Sequence, residues 1–299
     1  MSHSSNNLAR RVGGLSHRWL PFADAATVDL TLPRLWRLSL FQLSTGMAIV
    51  LLTGTLNRVM VVELGQGTSL VSLMLAIPLL LAPARALIGY RSDHHRSYLG
   101  WRRIPYLWSG TLMQFGGLAF MPFALILMIE PHSGPPIIGP IAAMGSFLLT
   151  GLGMHVSQTA GLALATDLAT EESRPRVVAL LYLMLLVGMI SSAVIFAALL
   201  DDFSYVRLIQ VIQSAAVITL ILNVAAMWKQ EVRHPELTDH ERERPTFGSA
   251  WGEFINLPKA RRLLWALGLG TMGFTMQDIL LEPYGAHVLG LSVSETTLL

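Results

Sequence analysis

The chain has 299 residues and a formal net charge of +2; 53% of its residues are hydrophobic and 13% charged. An average soluble protein has about 25% charged residues, so the balance points to lipid as the surrounding solvent, and nothing in it asks for a nucleic-acid partner. The sequence has no cysteine, which excludes disulfides, iron–sulfur ligation and cysteine nucleophiles.

Residues 1–33 read as a cytoplasmic N-terminal arm. Ser, Asn, Arg and Gly dominate it, and no continuous apolar core precedes a small-residue cleavage site, so it is no signal peptide. Leu8, Val12, Leu15, Trp19 and Leu20 alternate with Arg10, Arg11 and Arg18, a pattern able to lie along a lipid interface.

Seven apolar stretches follow: Leu38 to Leu56, Leu70 to Ile88, Ile104 to Ile129, Ile138 to Ala165, Val177 to Leu200, Val206 to Met227 and Leu263 to Leu281. Each is long enough to cross a bilayer. Of the 21 Lys and Arg residues, 18 fall in alternate gaps: five up to Arg37, four between Arg91 and Arg103, Arg174 and Arg176, and seven between Lys229 and Arg262. The positive-inside rule makes those segments cytoplasmic, whereas Glu63, Glu130, Asp201 and Asp202 mark the opposite loops. The expectation is a multi-pass protein with its N-terminus inside. Arg58, Arg85 and Arg207 break the pattern. Arg207 reads as an ion-pair partner of the adjacent aspartates, and Arg85 as a residue that snorkels or reaches Asp93 or Asp167.

The spacing of the stretches sets the expected domains. Residues 34–228 hold a six-helix N-terminal transmembrane bundle, and 229–261 form a cytoplasmic linker. Within the linker, Phe247 to Ile255 places aromatics at i, i+4 and i+7, predicting a short interfacial helix. Residues 262–299 open a second bundle. Thr55-Leu56-Asn57-Arg58-Val59-Met60-Val61 lies over Thr275-Met276-Gln277-Asp278-Ile279-Leu280-Leu281 at an offset of 220, and Gly65 falls on Gly285. Parallel six-helix repeats are the architecture of major facilitator transporters. The expected fold is therefore all-α and major facilitator-like: one six-helix bundle plus the first helix of a second, whose other spans are expected to lie beyond the chain.

The gap between the second and third stretches agrees. Gly89 through Asp93 has the Gly-x-x-x-Asp opening of the major facilitator signature loop, and Gly100, Arg102 and Arg103 resemble its glycine followed by basic residues, although Asp93 and Gly100 are further apart here. A glycine lets two helices turn closely, and the carboxylate can cap a helix start or hold neighbouring arginines. Asp167, Glu171, Glu172, Arg174 and Arg176 face this loop as a mixed-charge cluster, read as a solvated structural network or a docking surface. His94 and His95 are read as surface residues, and no metal site is expected.

Four segments are specific enough to suggest a family: Gly54 to Met60, Arg85 to Asp93, Gly100 to Tyr106 and Ala165 to Arg176. They resemble the bacteriochlorophyll delivery (PucC/LhaA) family of purple phototrophic bacteria, and the resemblance runs from about Arg34 to the end. It implies an assembly factor in the bacterial inner (intracytoplasmic) membrane. Its partners would be light-harvesting antenna polypeptides of the LH1 or LH2 type and the reaction centre, and its cofactor bacteriochlorophyll.

A chlorin magnesium takes an axial ligand, commonly a neutral imidazole, and the macrocycle lies against small residues. His155 is the histidine set well inside a stretch, with Gly151 four residues earlier and Gln158 three later. Two readings stay open for it: a pigment or substrate contact, or close helix packing with the imidazole bonded to a neighbouring carbonyl. In a major facilitator bundle the first, fourth and seventh helices line one cavity, which would gather Asn57, Arg58, His155, Gln158, Gln277, Asp278 and Glu282. Arg58 and Asp278 occupy equivalent places in the repeat and could form an ion pair latching the two halves. Alternatively, Arg58 snorkels or pairs with Glu63. No phosphate loop, His-Glu-x-x-His or serine elbow is present, so no enzymatic activity is expected. The competing function is a proton-coupled secondary transporter of a small or amphipathic solute, with Asp278, Glu282 or His155 carrying the proton.

Overall fold

The computed structural model describes residues 30–129, 135–232, 235–238 and 244–297. Most of the expected N-terminal arm, with its alternating pattern from Leu8 to Leu20, lies outside them. Among the described residues, six helical segments have the length and apolarity to cross a membrane: α1 (Leu32–Glu63), a second span over Thr68–Asp93, α4 (Ile104–Ile129), α5 (Ile138–Leu168), α6 (Arg174–Leu199) and α7 (Tyr205–Met227). The second span consists of α2 (Thr68–Leu80) and α3 (Ala84–Asp93). Beyond α7 come α8 (Pro235–Thr238), α9 (Phe247–Ile255), α10 (Pro258–His287) and α11 (Val293–Thr297). No strand occurs among the described residues. The protein is an all-α polytopic membrane protein. A helix, α9, occupies Phe247–Ile255, the limits expected for the linker helix, and the seventh apolar stretch lies within α10.

The packing inverts the pattern of a water-soluble bundle. Phe120, Phe123, Ile190 and Ile221 are more than 60% exposed, while Gln42, Ser44, Gln114 and Asn223 are fully buried. Lipid tails are as apolar as leucine, so apolar burial does little to hold such helices together. Close van der Waals contact and interhelical hydrogen bonds do that work.

Small residues create the contact. A Cβ added to Gly46 of α1 would lie 2.8 Å from Met189 N of α6, and one on Gly188 of α6 would lie 2.8 Å from Leu43 Cα of α1. The α4–α5 crossing repeats the device three times: a Cβ on Gly110 would meet Ser157 N at 2.6 Å, one on Gly117 would meet Thr150 N at 2.6 Å, and one on Gly153 would meet Gly110 O at 2.7 Å. These helices touch backbone to backbone. α7 closes the bundle by packing on both α1 and α4.

Two local departures shape the spans. Pro83 has no N–H to offer Leu79 O, so the second span breaks there. Tight turns replace the helix, with Ala82 N–H donating to Leu79 O (2.9 Å) and Ala84 N–H to Leu81 O (2.9 Å). In α1, the α-helix over Leu32–Ile49 widens to π-helix over Val50–Leu56 and again over Val59–Glu63. The C-terminal α11 docks on this widened part and on α6, with Val293 in the core and Thr296 and Thr297 buried. Its start is a reciprocal cap. Ser292 donates to Glu295 Oε2 from its N–H and from its hydroxyl, both at 2.8 Å, and Glu295 N–H returns a bond to Ser292 Oγ. Those two donors hold the Glu295 carboxyl below the usual range.

The glycine contacts generate a stability test. Gly188→Ala forces a methyl into the α1 backbone and is expected to cost about 1–3 kcal/mol, read as a lower melting temperature in detergent. Gly145→Ala adds its methyl where no atom lies within 4 Å, and is expected to leave the transition in place. Equal melting of both variants and the parent would refute backbone contact at Gly188.

Candidate functional site

Four spans are joined at mid-bundle by amides and a hydroxyl. Ser44 of α1 donates to Asn223 Oδ1 of α7 at 2.6 Å, and Asn223 Nδ2 donates to Gln114 Oε1 of α4 at 3.0 Å. Nearby on α1, Gln42 Oε1 accepts from Gln158 Nε2 of α5 at 3.2 Å. Interhelical bonds of this kind contribute about 0.6 kcal/mol each on average in a membrane. Of these residues, sequence reasoning singled out only Gln158. Its signal for the others was available but weak: single amides interrupting apolar stretches, each facing a span distant in sequence.

His155 lies beside this ladder but takes no part in it. Its Nε2 is 2.9 Å from Pro78 O on α2, so that nitrogen is the donor. Gly151 is occupied by the same neighbour, since a Cβ there would lie 2.7 Å from Pro78 Cγ. His155 Nδ1 is buried without a hydrogen-bond partner among the described residues. The donor set does not fit a chlorin in this arrangement. The imidazole edge toward α2 is engaged, the other nitrogen is enclosed, and the small-residue face is filled by a proline ring. This is the carbonyl-bonded packing of the two readings.

At the loop end bearing Glu63, Arg58 is 5% exposed. It pairs with Glu63 Oε1 at 2.7 Å and donates to Leu291 O, in the loop after α10, at 3.2 Å. Residues five apart stand on different faces of an α-helix, whereas an i→i+5 bonded turn brings them together. The π-helix is thus what lets Arg58 reach Glu63. Tyr205 Oη donates to Glu63 O at 3.2 Å, bringing the start of α7 to the same point. The side chains of Asp278 and Glu282 lie outside the described ones. Arg207 meets Asp202 at 3.3 Å, as the sequence suggests. Arg85 instead donates from Nε to Thr159 Oγ1 at 3.1 Å.

The opposite, basic end carries a denser network. Arg103 is 5% exposed. It donates to Ser92 Oγ (2.7 Å) and Asp167 Oδ2 (3.0 Å) and pairs with Asp93, joining the ends of α3 and α5 to the start of α4. Arg102 adds a longer contact to Asp167 at 3.3 Å. Gly100 has φ +78°, a turn conformation that favours glycine. Gly89 has no such need, since a Cβ there would meet only the Thr159 methyl at 3.7 Å. Glu231 closes the network from the chain after α7. Its carboxylate accepts the N–H groups of Arg102 (2.8 Å), Arg103 (3.0 Å) and Ile104 (2.9 Å), satisfying orphan donors at the head of α4. The neighbouring Gln230 exchanges bonds with Arg34 at the start of α1. The linker packs here as well, through Phe247 against Tyr90 with ring centroids 5.5 Å apart.

The residues expected to share one cavity have these surroundings. Asn57 is buried between the two π-helical stretches of α1, Gln158 meets Gln42, His155 meets Pro78, and Gln277 is exposed on α10. The signature-loop residues Asp93, Arg102 and Arg103 do converge, on Asp167 and Ser92.

A family model described as "PUCC protein" matches residues 55–299. "Protein PucC" of Rhodovulum sulfidophilum is 54% identical over 303 residues, covering 99% of this chain and 67% of the relative. "Protein PucC" of Rhodobacter capsulatus is 53% identical over 300 residues, covering 97% and 63%. A Rhodobacter capsulatus protein described as "Uncharacterized protein in puhA-bchM intergenic region" is 56% identical over 291 residues, covering 96% and 61%. The chain therefore spans about two thirds of the length of these relatives. No solved structure matches.

The ladder yields a mutational prediction. Asn223→Leu keeps the side-chain size but strips Gln114 of its partner inside the bundle, at an expected cost of about 1–3 kcal/mol. A denaturant or thermal transition in detergent measures it, and an unshifted transition would mean that the ladder contributes nothing to holding α1, α4 and α7.

Proposed function

The chain belongs to the PUCC protein family, and on that premise we propose that it is an assembly factor for the light-harvesting antenna of purple phototrophic bacteria. In this reading it sits in the inner (intracytoplasmic) membrane with its N-terminus in the cytoplasm. It brings antenna polypeptides, with their bacteriochlorophyll, together around the reaction centre. Residues 34–228 act as the first bundle of a major facilitator-like fold, 229–261 as the cytoplasmic linker, and 262–299 as the start of a second bundle.

The observation that carries the reading beyond family membership is the chemistry of the interior. Among the described residues, every buried polar side chain is an amide, a hydroxyl or an arginine. Amides and hydroxyls do not titrate near neutral pH, so the ladder supports a body that holds helices in place rather than one that passes a coupling proton. The lipid-facing aromatic and aliphatic side chains are the kind of surface against which another transmembrane helix packs. The rival is a proton-coupled transporter, whose remaining candidates are His155, Asp278 and Glu282.

Capture from phototrophic membranes distinguishes the two. The tagged protein is expected to retain antenna polypeptides and show bacteriochlorophyll absorption. His155→Ala is expected to keep that pigment, because the imidazole is engaged with Pro78. Pigment-free protein that captures no antenna polypeptide and drives solute uptake along a proton gradient in liposomes would overturn the proposal.

A further inference from the structure

A pocket of about 410 Å³ opens between the head of α4 and the tail of α7 at the basic end of the bundle. Trp101, Trp108 and Trp228 line it with Ile104, Val224 and Met227, and Lys229 and Glu231 stand at its polar rim. Trp108 is 43% exposed and Trp228 60% exposed. Tryptophans grouped at the end of a span, apolar on one side and polar on the other, mark headgroup depth.

The backbone at Lys229 has an unusual shape. α7 ends at Met227, and the chain reverses through Trp228 (φ −62°, ψ 112°) and Lys229 (φ 53°), with Gln230 N–H donating to Met227 O at 3.3 Å. This is a turn of type II form, whose third position takes glycine or asparagine by default because φ is positive there. Among the described residues Lys229 is the one non-glycine with positive φ. A lysine is thus held, against conformational preference, at the mouth of an aromatic pocket, and strain of this kind clusters at ligand clamps.

The surrounding charges are committed elsewhere. The Glu231 carboxylate is taken by the N–H groups at the head of α4, so that helix end is closed to an anion. Arg34 is bonded to Gln230, and Arg102 and Arg103 to Asp167. Lys229 is exposed and makes no ion pair among the described residues.

We infer that this pocket binds an anionic phospholipid. Its phosphate sits at Lys229, and an acyl chain runs down the apolar wall formed by Trp108, Val224 and Met227. The pairing of one cation with an aromatic-lined slot at headgroup depth gives charge complementarity that a zwitterionic lipid lacks, since its own ammonium offsets the phosphate. An attraction of this kind makes each lysine near an anionic surface favour binding by about fivefold.

The test uses the full chain in detergent, with retained lipid counted by native mass spectrometry during titration of phosphatidylglycerol or phosphatidylcholine bearing identical acyl chains. The parent protein is expected to retain phosphatidylglycerol about fivefold more strongly, and Lys229→Arg to keep that preference. Lys229→Gly is expected to lose it while melting, without lipid, at or above the temperature of the parent, because glycine adopts the turn without strain. Lys229→Asn, neutral and tolerant of positive φ, serves as the second variant and is expected to behave alike. Equal retention of the two lipids by the parent would overturn the inference. So would a preference that survives in both Lys229→Gly and Lys229→Asn, or loss of bound phosphatidylglycerol to millimolar inorganic phosphate alone.

Discussion

Helix backbones in this bundle approach until no Cβ fits between them, and the rest of the structure depends on that spacing. Gly46 and Gly188 bring α1 and α6 together; Gly110, Gly117 and Gly153 do the same for α4 and α5. Side-chain amides are short. Gln114 lies between two of the contact glycines on α4, and Ser44 lies two residues before Gly46 on α1. The glycines pair α1 with α6 and α4 with α5, and Asn223 of α7 joins the two pairs by accepting from Ser44 and donating to Gln114. Glycine packing pairs the helices, and the amide ladder fixes one pair against the other.

The two ends of the bundle are fastened by different means. At the basic end, Arg103 and Glu231 each satisfy several partners, and both act on the start of α4. One supplies a cation to carboxylates from two other spans, and the other supplies a carboxylate to unsatisfied backbone donors. At the other end, Arg58 joins α1 to the loop after α10, Tyr205 joins the start of α7 to Glu63, and α11 docks on α1 and α6.

The spans were legible because lipid demands long apolar runs, and the aromatic spacing of Phe247 to Ile255 disclosed the helix α9. The Asp93, Arg102 and Arg103 group was legible as a motif, since all three sit in one loop. Gln42, Gln114 and Asn223 were not, because a lone amide in an apolar run carries no mark of which distant span it faces. Glu231 was hidden for a related reason. Its partners are backbone groups at the head of α4, and no side-chain pattern records them. Pro83 breaks the second span through a missing N–H, an effect that hydropathy cannot register. For His155 the sequence held two readings open, and Pro78, whose carbonyl and ring occupy the imidazole and Gly151, belongs to another helix.

The widened part of α1 has a consequence for how that helix can change. An α-helix turns about 100° per residue, and the i→i+5 bonding of Val50–Leu56 accommodates its extra length inside the span. An i→i+5 bond sets residue i+5 where an α-helix sets i+4, so removing one residue from that stretch would restore regular α-helix and leave Asn57 and Arg58 aimed much as they are, whereas removing one from Leu32–Ile49 would turn them about 100° around the axis. The direction in which Arg58 points is therefore set by chain length in the regular part of the span and buffered in the widened part, so a deletion before Val50, too small to alter hydrophobicity, would re-aim the arginine that ties α1 to Leu291.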